Sequence, residues 1–235
     1  MAVKAIFFDA AGTLFNSVRP VGQSYTLLAK KYGMEVPASE VTQRFKSCFA
    51  SAKPLAFPGT AKDQIKELER SWWEDLVRRI FEPFGLFTNF DDYFSELFGY
   101  FSRADSWSLF KDTEETLAAL RAKGLTLAII SNFDSRLFGI LDGLGIASKF
   151  DAILISSEIG YAKPAPEIFR RALELYNLTP DQTLFVGDSP ETDILGAIRA
   201  GLTPILLDRK GNKPVDSVRQ VRELREILDI VDSKS

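Results

Sequence analysis

Histidine is missing altogether from the 235 residues, and cysteine occurs once, as Cys48. The first absence removes Ser-His-Asp triads, Cys-His dyads, histidine general bases and histidine-ligated zinc from within the chain. The second leaves no intrachain disulfide and no thiolate zinc cluster. Acid–base chemistry must then come from carboxylates, lysine, tyrosine or water, and a bound metal should be a hard, oxygen-ligated cation. Positive charge is not in excess: 29 basic residues face 32 acidic ones, a net charge of −3, so no broad basic surface invites nucleic acid. No apolar run approaches the ~18 residues of a membrane span, and the chain reaches Asp9 before a signal-like segment develops. These absences predict a cytoplasmic protein, monomer or homodimer, with neither nucleic acid nor membrane as partner. What is present is an ordinary globular mixture, 46% apolar and 26% charged, long enough for one large domain or two small ones.

The stretch Lys4-Ala-Ile-Phe-Phe-Asp9-Ala-Ala-Gly12-Thr13-Leu14-Phe15 organises the rest. Ala5 to Phe8 reads as a fully buried strand, because a short apolar run ending at turn residues suits a parallel sheet covered on both faces. Asp9 then stands at the carboxyl end of that strand, where open α/β sheets bind ligands. The same residue type also closes ordinary turns, so this stretch alone decides nothing.

From Val21 to Phe101 the periodicity is helical throughout. Helices are expected over Ser24 to Tyr32, Val41 to Phe49, a longer one with Ile65, Leu68, Trp72, Leu76 and Ile80 on one stripe, and Phe90 to Phe101. Trp72, Trp73 and the Phe/Tyr stripe read as the core of a small bundle. From Trp107 onward strand and helix alternate. Thr113 is expected to cap a helix to Lys123. Strands follow over Leu125 to Ile130, Ala152 to Ile155, Thr183 to Val186 and Pro204 to Leu207, the last clear one. Ser156 to Pro166 is expected as a loop, and Val215 to Val231 as an amphipathic C-terminal helix. Repeated β-α-β units imply a mostly parallel sheet with helices on both faces. The insert after the first strand should emerge at the ligand end of that sheet and cover it.

Four groups fall at strand ends on that side: Asp9, Ser131 with Asn132, Lys163, and Asp188 with Asp193. Together they fit phosphoryl transfer. Asp9 and Asp188 suit Mg²⁺, which keeps several waters and bridges to phosphate oxygens. Asp193 is placed to fix a metal-bound water, Lys163 supplies a point charge, and Ser131 adds a hydroxyl with neighbouring N–H groups.

The ordered set Asp9-x-x-Gly12-Thr13-Leu14, Ser131-Asn132, Lys163-Pro-x-Pro166 and Gly187-Asp188-x-x-x-x-Asp193 resembles the haloacid dehalogenase superfamily. Phe8 to Leu14, Arg19-Pro-Val-Gly22, Trp72-Trp73 and Ile130 to Asp134 are similar to its branch named after a rhythmically expressed gene product of flies. The resemblance implies an α/β fold: a Rossmann-like parallel-sheet core, residues 1–16 and 106–235, with an inserted all-helical cap of the C1 type, residues 17–105. It also implies a hydrolase, phosphatase-like, acting on a small phosphorylated molecule. Asp9 would be the nucleophile forming an aspartyl-phosphate. Mg²⁺ would be held by Asp9, Asp188 and the Ala11 carbonyl, and Ser131, Asn132 and Lys163 would bind the phosphoryl group.

One position departs from the pattern. Phosphatases of this family usually carry a second Asp two residues after the nucleophile; here it is Ala11. General acid–base help of that kind is worth ~10²–10⁴ in rate, so leaving groups that need no proton should suffer least. Three other readings stay open. A 2-haloacid dehalogenase also lacks that Asp and needs no metal. A phosphonate hydrolase has Ala there and places a Schiff-base lysine in the cap, with Lys30, Lys31, Lys46 and Lys53 as candidates. A non-catalytic protein would bind a phosphorylated ligand without turning it over.

Overall fold

Ala5–Phe8 (β1) is wholly buried. Ile6 and Phe8 enter one apolar cluster while Ala5 and Phe7 enter another, the alternation that a pleated strand imposes. Both faces are covered, which is why the segment reads as an unbroken apolar run. The computed structural model describes residues 2–85, 87, 89–211 and 215–233. After β1 come Phe15–Ser17 (β2), Val21–Lys31 (α1), Ala38–Ala50 (α2), Lys62–Phe81 (α3) and Phe90–Tyr100 (α4). Trp107–Leu109 (β3), Thr113–Ala122 (α5), Thr126–Ser131 (β4), Arg136–Gly143 (α6), Ala152–Ile155 (β5) and Ser156–Ile159 (α7) follow. The chain continues through Pro166–Leu175 (α8), Thr183–Gly187 (β6), Leu195–Ala200 (α9), Thr203–Leu207 (β7), Arg219–Val221 (β8) and Ile227–Asp232 (α10).

Six strands form one parallel sheet in the order β5-β4-β1-β6-β7-β8. The first strand therefore lies inside the sheet. From β1 the chain steps outward through β4 and β5, then returns to the other side of β1 through β6, β7 and β8. Ligand crevices open where the winding direction reverses, so the ends of β1 and β6 are the place to look. Residues of α5, α6 and α10 close one face of the sheet, and residues of α8 and α9 the other. This is the α/β sheet with flanking helices that the alternating pattern predicts.

Helices α1 to α4 have an apolar cluster of their own, centred on Tyr25, Leu76, Ile80, Phe81, Tyr93 and Phe94. Burying a side chain such as Phe81 contributes about 1.5–3 kcal/mol, so these rings hold the helices together without help from the sheet. Trp72 and Trp73 pack against this cluster as expected. Leu68 does not share the buried stripe: it is 38% exposed, and the buried neighbour is Glu69. No helix among the described residues is long and apolar enough to cross a membrane.

Several local expectations are corrected. β2 and β3 pair antiparallel, Phe15 with Leu109 and Ser17 with Trp107, so the helical segment hangs from a two-stranded ribbon. Three residues per strand are too few to show a period in sequence. Val215 to Val231 is not one helix. β8 adds to the edge of β7, the Asp112 carboxylate accepts the Leu224 N–H at 2.6 Å, and Glu226 accepts those of Arg222 and Glu223 at 2.7 and 2.8 Å. Those side-chain acceptors turn the backbone and delay the helix to Ile227. Pro204 to Leu207 is therefore not the last strand. Thr113 does not cap α5; its hydroxyl donates to the Leu14 carbonyl at 2.7 Å. The expected loop from Ser156 begins with the one-turn helix α7.

Candidate active site

Asp9 follows β1 directly, Ser131 ends β4, and Gly187 ends β6 with Asp188 after it. Parallel neighbours carry all three to one edge of the sheet. Lys163 arrives from the segment between α7 and α8, and its Nζ lies 2.6 Å from Asp9 Oδ1 and 2.6 Å from Asp193 Oδ1. Ser131 Oγ lies 3.4 Å from Asp9 Oδ1, and Thr13 Oγ1 3.4 Å from Asp9 Oδ2. Asp9, Asp188 and Asp193 each present a carboxylate oxygen within 4.8 Å of the others. The structure thus brings together Asp9, Ser131, Lys163, Asp188 and Asp193 from segments spread over the whole chain.

Two glycines make this closeness possible. Gly12 has φ +98°, and a Cβ there would stand 2.6 Å from Asp188 Oδ1. At Gly187 an added Cβ would meet the Asp193 carboxyl carbon at 2.4 Å. Any side chain at either position would push a carboxylate out of the cluster.

The Asn132 side chain turns to Lys163. Its side-chain oxygen accepts the Lys163 N–H at 2.7 Å, and its Nδ2 donates to the Lys163 carbonyl at 2.8 Å. Both ends of the amide grip the backbone of Lys163, which fixes where that ammonium can reach. Burial opposes the charge on Lys163, but the Asp193 and Asp9 carboxylates outweigh it and hold the ammonium above the usual lysine range. Burial pushes the Asp193 carboxyl up to about 7, Lys163 opposing and Asp9 adding to the rise. Asp193 Oδ2 also accepts the Ser189 N–H at 3.0 Å.

Asp9, Asp188 and Asp193, two of them in contact with the Lys163 ammonium, form an all-oxygen, anionic donor set. A magnesium ion fits it: such ions take carboxylate oxygens, and buried negative charge is costly without a cation.

Sequence reasoning missed the groups that hold this centre in place. Arg209 Nη2 donates to the Thr13 carbonyl at 3.1 Å while its guanidinium forks onto Asp112 at 3.0 and 2.9 Å. On the other side, Trp73 Nε1 donates to Asp134 Oδ2 at 2.6 Å, and Arg136 engages the same carboxylate through Nε at 2.8 Å and Nη2 at 2.7 Å. Buried Glu69 of α3 accepts both the Ser135 N–H (3.0 Å) and the Ser135 hydroxyl. The helical segment is therefore bonded to the loop that follows β4. Of these residues Thr13, Trp73 and Asp134 stand in the sequence motifs, and nothing in those motifs paired them with their partners.

A family model described as haloacid dehalogenase-like hydrolase matches residues 3–201. The haloacid dehalogenase-like hydrolase domain-containing protein 3 of Bos taurus is 33% identical over 92% of this chain and 85% of its own length. The rhythmically expressed gene 2 protein of Drosophila melanogaster is 28% identical over 88% and 84%. Among solved structures, the L-2-haloacid dehalogenase RSc1362 superposes with a TM-score of 0.77 at 20% identity, covering 99% of this chain and 100% of that one, a likeness of fold alone. The site motifs, the sheet order and these matches agree: the chain belongs to the haloacid dehalogenase-like hydrolase family.

Proposed function

We propose that the protein is a Mg²⁺-dependent phosphatase of a small phosphorylated molecule, working through an aspartyl-phosphate on Asp9. In this reading residues 1–16 and 106–235 form the catalytic core and residues 17–105 a cap over it. The convergence of Asp9 and Asp188, with Lys163 between Asp9 and Asp193, carries the reading.

Asp9 attacks phosphorus in line, and the leaving group departs with the electrons of the broken P–O bond. Lys163 pairs with Asp9 and offers its charge to the phosphoryl oxygens, while Ser131 adds a hydroxyl donor. Asn132 holds Lys163 in position through its backbone. Asp9, Asp188 and the Ala11 carbonyl would hold the Mg²⁺, with Asp193 beside them. When bound, the ion supplies neutralisation of the phosphoryl oxygens and alignment of the group in flight. Water then attacks phosphorus and Asp9 leaves as carboxylate; of the water's two protons one stays on the new P–OH and the other passes to a second phosphate oxygen or to solvent. Ala11 has no side chain to protonate a departing alkoxide, so activated leaving groups are favoured.

Hydrolysis of p-nitrophenyl phosphate and acetyl phosphate should be abolished by EDTA and by Asp9→Asn. Ala11→Asp should raise turnover of alkyl phosphates more than that of aryl phosphates. Ala11 also favours a second reading, a metal-free 2-haloacid dehalogenase. Asp188 opposes it, because another carboxylate beside Asp9 repels an anionic haloacid; EDTA-insensitive turnover of 2-chloropropionate would establish it instead. The phosphonate reading gains no support: Lys30 and Lys31 sit in exposed ion pairs, and Lys46 and Lys53 are exposed. A non-catalytic binder would show thermal stabilisation by phosphate with Mg²⁺ and no turnover.

A further inference from the structure

We infer that the substrate is an acyl phosphate with a short, uncharged alkyl chain, whose chain lodges in an aromatic cavity between the helical segment and the loop after β4. This inference rests on the phosphatase reading above. The cavity has a volume of about 80 Å³, and its walls include Val77, Trp73, Phe98, Trp107, Phe133 and Arg136. Two of these walls belong to, or pack on, the segments that carry the site residues. Phe133 lies two residues beyond Ser131. The Trp107 ring lies 5.4 Å from that of Phe15, at the end of the loop that begins at Asp9, and 6.0 Å from that of Phe133.

Polarity sets the class of ligand. Among the described residues Arg136 is the one charged member of the wall, and its charge is already matched by the two bonds to Asp134. Its guanidinium carbon lies 4.0 Å from the Phe98 ring centre and 5.0 Å from that of Trp73. The Trp73 N–H is likewise held by Asp134. The Tyr25 hydroxyl is a further polar group among the described lining residues, so a second carboxylate, a second phosphate or a sugar placed here would lose most of its water with little beyond a phenol to replace it. Size narrows the class further. A cavity of ~150 Å³ accepts benzene, so about half that volume suits three or four carbons and not a ring.

Ala11 points to the same class independently. With no acid at that position, leaving groups that depart unprotonated are favoured, and a carboxylate does so readily. Asp9 forms the new P–O bond as the bond from phosphorus to the acyl oxygen breaks. The electron pair leaves on the carboxylate, and no proton moves. Water then cleaves the aspartyl-phosphate, regenerating the Asp9 carboxylate and giving phosphate, with one of the water's protons on the new P–OH and the other on a second phosphate oxygen or in solvent.

The test measures kcat/KM with Mg²⁺ for acetyl, butyryl and benzoyl phosphate and for glucose 6-phosphate, on wild type, Val77→Phe and Val77→Ala. Two further methylenes buried in the cavity should make butyryl phosphate better than acetyl phosphate by roughly tenfold. Benzoyl phosphate and the sugar phosphate should not match it. Val77→Phe, which fills the space, should bring the butyryl-to-acetyl ratio toward one. Val77→Ala, which widens it, should move the preference to a longer chain. Xenon binding followed by ¹²⁹Xe NMR gives a readout without turnover: present in wild type, lost in Val77→Phe. Should acetyl phosphate be hydrolysed with butyryl phosphate no faster, or the sugar phosphate preferred, the substrate class is wrong while the phosphatase reading stands. Failure to hydrolyse any acyl phosphate or p-nitrophenyl phosphate overturns both.

Discussion

Asp112 shows how much of the site depends on side chains that do no chemistry. Its carboxylate forks with Arg209, which in turn holds the Thr13 carbonyl, and also accepts the Leu224 N–H. One residue therefore ties the loop after Asp9 to the C-terminal turn. Burial raises the Asp112 carboxyl, but the Arg209 guanidinium and the Leu224 N–H outweigh it and hold the group below the usual carboxylate range. A depressed carboxyl stabilises the fold above its unfolded value, and that contribution disappears as pH falls through the folded one. Urea unfolding of wild type and Asp112→Asn should thus differ at neutral pH, with a gap that narrows from about pH 5 to about pH 2. A gap of constant width would mean that the Asp112 charge does not hold this junction. None of this was legible in sequence, because Arg209 and Thr13 stand 196 residues apart. Asp9, Ser131 and Asp188 were legible, since each ends or follows an apolar run that marks the ligand side of a parallel sheet, and Lys163 was legible from its place in the loop region after such a strand. The pairing of Asn132 with the backbone of Lys163 was not, because a side-chain amide beside a motif serine gives no hint of which partner it will choose.

Among the elements, α3 has the double role that periodicity alone could not assign. Its apolar face fills the helical cluster, while Glu69 and Trp73 reach Ser135 and Asp134 at the start of α6. The helical stripe fixed the length of α3 to within a turn but placed Leu68 inward and overlooked Glu69. A buried carboxylate looks like a surface residue until its partner is known. Strands β1, β4, β5, β6 and β7 fell within a residue or so of expectation, because central parallel strands are continuous apolar runs. β2, β3 and β8 did not, because a three-residue strand is defined by its partner and not by a pattern of its own. Hydrogen bonds to a charged acceptor contribute about 1.5–3 kcal/mol each. Glu69→Ala should therefore lower unfolding stability by at least about 2 kcal/mol and raise hydrogen exchange in the first half of α3. Unchanged exchange there would show that apolar packing alone seats this helix.

At the scale of the whole molecule, the helical segment with its own apolar cluster meets the sheet at the β2–β3 ribbon and through the polar bonds of α3. It meets it also through Arg136 on Phe98 and through the bond from the Ser156 hydroxyl to the Leu55 carbonyl. Ser17 and Trp107 face each other across that ribbon, and paired strands bring such residues within about 5 Å. A chain in which a short turn replaces the segment between them should keep a cooperatively folded sheet. Its far-UV circular dichroism should lose helix, and it should lose discrimination between acyl chain lengths. Failure of that chain to fold would make the helical segment part of one indivisible core. The account's central claim is narrower: Asp9 and Asp188 share one divalent cation. Calorimetric titration of the metal-stripped protein with Mg²⁺ tests this most directly, with Asp9→Asn and Asp188→Asn titrated beside wild type and checked for an intact fold. The account predicts one ion per wild-type chain and no measurable binding in either variant; undiminished binding in either one would contradict it.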